Sequence, residues 1–583
     1  MREATLERVP PHLRQYVVQQ NYDGYDEVDH AVWRFVMLQL YRNLKDLAHP
    51  AYVKGLEQTG IGIERIPRIE EMDACLSEFG WGAVCVDGFI PPRAFQEFQA
   101  LGIMTIAADI RTPDHLAYTP APDIIHESAG HSPIVPDPKY RHFLKRFGEI
   151  GCKAFSSPED LRVYEAIRNL SIVKESPLST EQEIQAAEDR LTAAVEGVTW
   201  TSETSLLSRL HWWTVEYGLV GTPTDYKIYG AGLLSSVGES FFCHQDKVQK
   251  VPLTAQCVHT SYDITKPQPQ LFVVPDFDAL NEILEEVADT LAFRKGGNEA
   301  LNMARKSGET ATVVLNSGIQ ISGVLDQVRY MAEQPAYLQF KGPSALAYAD
   351  QMLKGHGPDF HEHGYGCALG HLADGRALSN LKASEFTSQN SLDSRLTLTY
   401  QSGVRVEGTL IDAVAGETGQ LILLSFKDCK VQLEDTLLFD PSWGQYDLAI
   451  GEEARTAYAG VADPNLWPIT QYRDKQVPPA NQRLDAKTQA LHEMYRSARD
   501  TFQQGDNERS IALFQKIHQS LQRDYPEHWL LRWNLLECLV KMQSRDPMVN
   551  TLRRELLEIE SRHYEEAPIS MGLRYLDAVA NDG

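Results

Sequence analysis

The sequence lacks closely spaced cysteines, an excess of basic charge and any long apolar run, and each absence closes off a class of protein. Its eight cysteines (Cys75, Cys85, Cys152, Cys243, Cys257, Cys367, Cys429 and Cys538) stand singly, with no C-x-x-C pair. Neither a disulfide framework nor a thiolate zinc site is therefore expected. Lys and Arg number 55 against 80 Asp and Glu, a net charge of −25. That balance predicts no nucleic-acid or anionic-membrane surface, since both need a basic face. No window approaches the roughly 18 apolar residues of a membrane span. The opening MREATLERVPPHLRQYVVQQ has no apolar signal core, so a cytoplasmic protein is expected.

What the chain has is size. Its 583 residues, 43% of them hydrophobic, suffice for several packed cores. Four textures follow one another. Residues 1–298 are rich in Trp, Tyr, His and helical periodicity, and they stop at Gly296-Gly297. Within them, about 160–200 read as a surface insertion, where Thr180 and Glu183 form a capping box ahead of a long polar helix. Residues 310–450 change to β-branched alternation and contain an internal repeat. A Ser-Gly turn (Ser317-Gly318) followed five residues later by Gly323 recurs as Ser402-Gly403 and Gly408, which predicts two related bent hairpins in a small β-barrel or sandwich. Residues 455–485 carry scattered prolines and read as a linker. Residues 486–583 are amphipathic helices with Gly505 and Pro526 at the joints, loosely similar to tetratricopeptide hairpins and suited to self-association.

The chemistry concentrates near TPAPDIIHESAGHSPIVPDPKY, where His126 and His131 stand five apart. The H-E-x-x-H zinc pattern fails, because position 130 is Gly. Five residues along a continuous α-helix put two rings about 140° apart, too divergent to share an ion. A left-handed Gly130 that ends the helix is the expected way to bring His131 back towards His126, with Pro133 preventing resumption. A third ligand is sought in HWWTVEYGLV, where Glu216 lies among aromatic and aliphatic neighbours. A carboxylate in such company needs a metal or a buried Arg or Lys. Two imidazoles and a carboxylate would form the facial triad of non-haem Fe(II) oxygenases.

PAPDIIHESAGHSP, HWWTVEYGLV, IYGAGLLSSVGES and SYDITKPQPQLFVVPDF, in that order between about Gly80 and Gly297, strongly resemble the tetrahydropterin-dependent aromatic amino acid hydroxylases, in a long bacterial form. The resemblance implies iron ligands at His126, His131 and Glu216. It implies a substrate-carboxylate clamp at Arg111, braced by Asp123, and substrate or site-organising hydroxyls at Thr119 and Ser235. It further implies a pterin-stacking ring at Phe95 and a catalytic, pterin-facing carboxyl at Glu127. Fe(II), a tetrahydropterin and O2 are the implied cofactor and co-substrates, and an aromatic amino acid is the implied partner.

The fold that follows is multidomain: a mainly α catalytic domain, then a small β domain and a C-terminal all-α helical-hairpin domain. The implied reaction is ring hydroxylation, phenylalanine to tyrosine first, with tryptophan or tyrosine hydroxylation as the alternatives. A non-catalytic binding protein on the same fold is the reading furthest from these. Trp212 and Tyr217 are either pocket walls or plain core. His211 stands near the expected pterin pocket where an aromatic residue is usual, and the stretch between His126 and Glu216 is about twice the implied length. Finally, HGPDFHEHGYG, with His356, His361 and His363, and His371 close by, reads either as a solvated loop or as a second metal site.

Overall fold

A computed structural model describes residues 3–86, 88, 90–113, 116, 122–175, 179–264, 266–467, 485–563 and 568–582. Among them, no helix is long and apolar enough to cross a membrane. The first region is built around helix α1 (Glu27–Leu47), whose start is closed by a capping box between Asp26 and Asp29. Residues Ala31 to Leu40 are all buried, as expected for a helix covered on every side. Two small sheets flank the site. In one, Gly82–Val86 and Ile103–Ala107 run parallel, joined by the crossover helix Pro92–Ala100, and both strands are buried throughout. In the other, Leu219–Thr222 lies between Asp225–Ile228 and Gln270–Val274.

The insertion is a helical hairpin, Pro158–Glu175 and Glu181–Glu196. Thr180 and Glu183 make the reciprocal capping box, and Ala187 is the buried residue of the second helix. A 2.8 Å ion pair from Lys174 to Glu188 joins the two helices. The hairpin lies on the surface, where added length costs little closure entropy.

The β region holds strands β1 (Thr310–Leu315), β2 (Ile319–Met331), β3 (Gln334–Tyr348), β4 (Gln351–Met352) and β5 (Gly364–Ala368). They are followed by β6 (Arg395–Thr399), β7 (Val404–Ala415), β8 (Leu421–Leu433), β9 (Thr436–Phe439), β10 (Tyr446–Ala449) and β11 (Ala454–Ala459). One sheet has the order β4-β3-β2-β1-β11 with β5 beside β3; the other has β6-β7-β8-β9 with β10 beside β8. The repeat is thus two antiparallel meanders. Gly318 and Gly403 take φ of 93° and 84° at the equivalent turns, the left-handed conformation that favours glycine. Residues 454–459 correct the expected linker: they form β11 and pair with β1, which would otherwise be an unpaired edge. Residues 468–484 of that stretch lie outside the described ones.

The C-terminal helices are α2 (Ala486–Gln503), α3 (Asn507–Asp524), α4 (Trp529–Lys541), α5 (Met548–His563) and α6 (Pro568–Asp582). Their apolar faces join the core of the first region. Phe35 of α1 meets the rings of Trp533 and Trp529 edge-on at 4.7 and 5.2 Å. Arg34 reaches Glu537 at 2.5 Å, where the Glu side chain is fully buried. Trp529 and Trp533 of these helices are thus buried within the chain.

Candidate metal centre

The two histidines sit on a turn unlike the one the sequence predicts. Ile125–His131 is a π-helix, whose i→i+5 bonding stacks residues five apart on one side. Gly130 does not turn left-handed, and the chain continues through Ser132 in helical conformation. Its missing side chain serves close packing instead. A Cβ there would stand 2.7 Å from the Ala231 carbonyl oxygen and 3.2 Å from Ser235 Cβ. Glu216 ends a second π-helical turn, Trp212–Glu216, closed by the 2.9 Å bond from Tyr217 N–H to the Trp212 carbonyl.

These turns bring the three side chains together. The Nε2 atoms of His126 and His131 are 3.1 Å apart. Glu216 Oε2 is 3.4 Å from His126 Nε2, and Oε1 is 3.4 Å from His131 Nε2. Metal bonds of about 2.1 Å place neighbouring octahedral ligands about 3.0 Å apart, so this donor triangle fits one face around a single ion. Among the described residues, Glu216 pairs with His126, His131 and His211, not with an Arg or Lys. Burial alone would raise the Glu216 carboxyl, but the neighbouring imidazoles outweigh it and hold it well below its ordinary value. Burial pushes His126 down to about 4, which keeps it a neutral donor.

Ser235 stands behind His126. Its Oγ donates to the Ala231 carbonyl at 2.7 Å and therefore accepts from His126 Nδ1–H at 3.0 Å. That bond fixes the tautomer in which Nε2 is the bare donor. Ser235 thus acts as an orienting group here. The resemblance names Ser235 as a substrate or site-organising hydroxyl; its contact with His126 Nδ1 is seen only in the fold.

Arg111 and Asp123 form a two-pronged pair, with Nε and Nη2 each 2.7 Å from a carboxylate oxygen. The side chains are 2% and 4% exposed. Asp123 also accepts from the backbone N–H groups of Arg111 and His126, each at 3.0 Å, so one carboxylate ties the guanidinium to the start of the metal turn. Phe95, Glu127, His131 and His211 line one pocket, with Trp81 and Gln99. Burial lifts the Glu127 carboxyl to about 7. His211 packs edge-on against Phe95 at 5.9 Å and Phe147 at 5.4 Å. Trp212 is not among the pocket-lining residues; it stacks on Tyr262 at 4.3 Å and tilts against Tyr217 at 4.7 Å. Thr119 lies outside the described residues.

The family model described as biopterin-dependent aromatic amino acid hydroxylase matches residues 19–161 and 171–295. The match starts well before Gly80, so it takes in α1, and it breaks within the first insertion helix. A phenylalanine-4-hydroxylase of Pseudomonas aeruginosa is 30% identical over 278 residues, 47% of this chain and 89% of that protein. One of Mesorhizobium japonicum is 28% identical over 296 residues, 50% of this chain and 90% of that protein. A solved phenylalanine hydroxylase from Chromobacterium violaceum, with bound iron(III) and 7,8-dihydrobiopterin, is 26% identical. It covers 48% of this chain and 88% of that one, at a TM-score of 0.37, too low to bear on the fold. On the family match and the Pseudomonas relative, this chain belongs to the biopterin-dependent aromatic amino acid hydroxylases.

Proposed function

We propose that this chain hydroxylates phenylalanine to tyrosine, with Fe(II) held by His126, His131 and Glu216 and with a tetrahydropterin and O2 as co-substrates. The observation that carries the reading is the convergence of these three donors beside a pocket, with an Arg locked in place by the same aspartate that caps the metal turn. The name of the bacterial relatives supports phenylalanine as the substrate. When bound, ferrous iron supplies the dioxygen chemistry that no side chain provides, and the tetrahydropterin supplies two electrons.

The chain's own residues position and shield. Arg111, held by Asp123 through Nε and Nη2, takes the substrate carboxylate on its remaining N–H groups, a task suited to a planar fork. With that end fixed, the aromatic ring is presented to the metal face in a defined orientation. Phe95 stacks on the pterin from the crossover helix, and Glu127 offers its carboxyl to the same ligand. The test is to incubate the protein with Fe(II), tetrahydropterin, O2 and, separately, phenylalanine, tyrosine and tryptophan, and to identify the product. Tyrosine formed from phenylalanine, dependent on pterin, is the expected result. Exclusive turnover of tryptophan or tyrosine would reassign the substrate, and no turnover of any of the three would reject the reading.

A further inference from the structure

The β region contains a second cluster of donors that the hydroxylase chemistry does not use. His356 and His361 lie in the connection between β4 and β5, and Asp447 lies on β10 of the other sheet. Their ligand atoms are all within 4.8 Å of one another. His356 Nδ1 is 3.7 Å and His361 Nε2 3.9 Å from Asp447 Oδ2. Each of these three facing atoms is buried and has no hydrogen-bond partner among the described residues. Asp447 is 2% exposed and His361 8%.

The cluster is built to face inward. Asp447 Oδ1 accepts from Ser425 Oγ at 2.5 Å and from Gln445 Nε2 at 2.8 Å, which leaves Oδ2 directed at the imidazoles. The backbone carbonyls of His356 and His361 accept from Leu346 and Ser344 N–H on β3, so both histidines are tied to a central strand. The rings lie 5.8 Å apart and 20° from parallel. A buried carboxylate oxygen without a donor is costly, and separations of 3.7–3.9 Å are too long for hydrogen bonds. They fit ligands that share an ion. With bonds of about 2.0–2.1 Å, tetrahedral ligands stand about 3.4 Å apart, whereas octahedral neighbours stand about 3.0 Å apart. Two imidazoles and one carboxylate gathered in this way are a donor set that zinc accepts.

We propose that His356, His361 and Asp447 bind a zinc ion that clips the two copies of the β repeat together. The repeat itself shows why the site is single. Phe340 pairs with Tyr365 in the first copy, as Phe426 pairs with Tyr446 in the second. Gly366 therefore holds the place in the first copy that Asp447 holds in the second. One copy supplies the histidines and the other the acid, and the fourth tetrahedral position is left to water or another donor. This site rests on no part of the hydroxylation reading.

The test uses the full chain, stripped with chelator and reloaded with Zn(II) alone. His126→Ala/Glu216→Ala removes the first centre and is expected to retain one tight equivalent of zinc. Adding Asp447→Asn or His361→Gln is expected to remove it. Co(II) in place of zinc should give the strong visible bands of a tetrahedral centre, lost in the same variants. Should Asp447→Asn fail to fold by circular dichroism, His356→Gln, at a more exposed position, takes its place. Asp447→Asn alone should leave hydroxylation unchanged while lowering the zinc-dependent rise in melting temperature. Absence of tight zinc in His126→Ala/Glu216→Ala, or zinc that survives both Asp447→Asn and His361→Gln, overturns the proposal.

Discussion

Asp123→Asn separates the substrate end of the site from the metal end. The wild-type carboxylate holds Arg111 through two 2.7 Å side-chain bonds and also accepts from the His126 backbone N–H. Both side chains are almost fully buried, so the variant leaves a guanidinium charge with no counterion. Breaking a buried pair in this way costs about 3–5 kcal/mol, a large part of the roughly 5–15 kcal/mol that a domain has. Urea unfolding should show it as a lower midpoint at unchanged slope. In the proposed role, an Arg111 that has lost its brace also loses its charge-assisted contact with the amino-acid carboxylate. That contact is worth about 1.5–3 kcal/mol, so the amino-acid KM should rise about tenfold to hundredfold. Iron content should not change, because the three donors are intact. Acid titration adds a second readout. Burial alone would raise the Asp123 carboxyl, but the Arg111 charge and its hydrogen bonds hold it below its ordinary value. A depressed carboxylate contributes stability above its unfolded pKa of about 4, and that stability is lost as pH falls through the folded value. The variant should lack this component of acid sensitivity. An unchanged KM together with a stability loss under about 1 kcal/mol would refute the reasoning.

His126→Ala and Glu216→Ala are each expected to abolish stoichiometric Fe(II) binding and pterin-dependent turnover; a purified variant with full iron and full turnover removes the triad assignment. Ser235→Ala takes away the partner of His126 Nδ1 and should weaken Fe(II) affinity about tenfold to hundredfold, measured by chelator competition; an unchanged affinity would show that the imidazole is oriented by something else. Trp533→Ala opens a cavity against Phe35 and should cost about 3–5 kcal/mol. Because both residues belong to one core, calorimetry should show the C-terminal helices and the catalytic region weakening together, and a separate early transition for the helices alone would contradict the shared core.

The amino-acid order alone pointed to candidate donors of the first centre. A carboxylate at Glu216 amid aromatic residues is costly unless it is paired or coordinated, a cost legible without coordinates, and the family resemblance set His126 and His131 beside it. Local devices were equally legible: the Thr180–Glu183 capping box and the Ser-Gly turns at 317–318 and 402–403 depend on a few adjacent residues. The route by which His131 reaches His126 was not. A left-handed glycine and a π-turn satisfy the same five-residue spacing, so the spacing does not choose between them; nor does it show that Ala231 and Ser235, about a hundred positions on, pack where a Gly130 side chain would stand. The strand at Ala454–Ala459 escaped notice for a similar reason, since its partner β1 lies far back in the chain. Ser235 behind His126, Trp533 against Phe35, and Asp447 facing His356 and His361 are likewise products of topology. Periodicity and turn chemistry report forces that act over a few residues. Which distant faces meet is decided by how the whole chain buries its apolar surface, and that is where the tertiary structure supplied what the sequence could not.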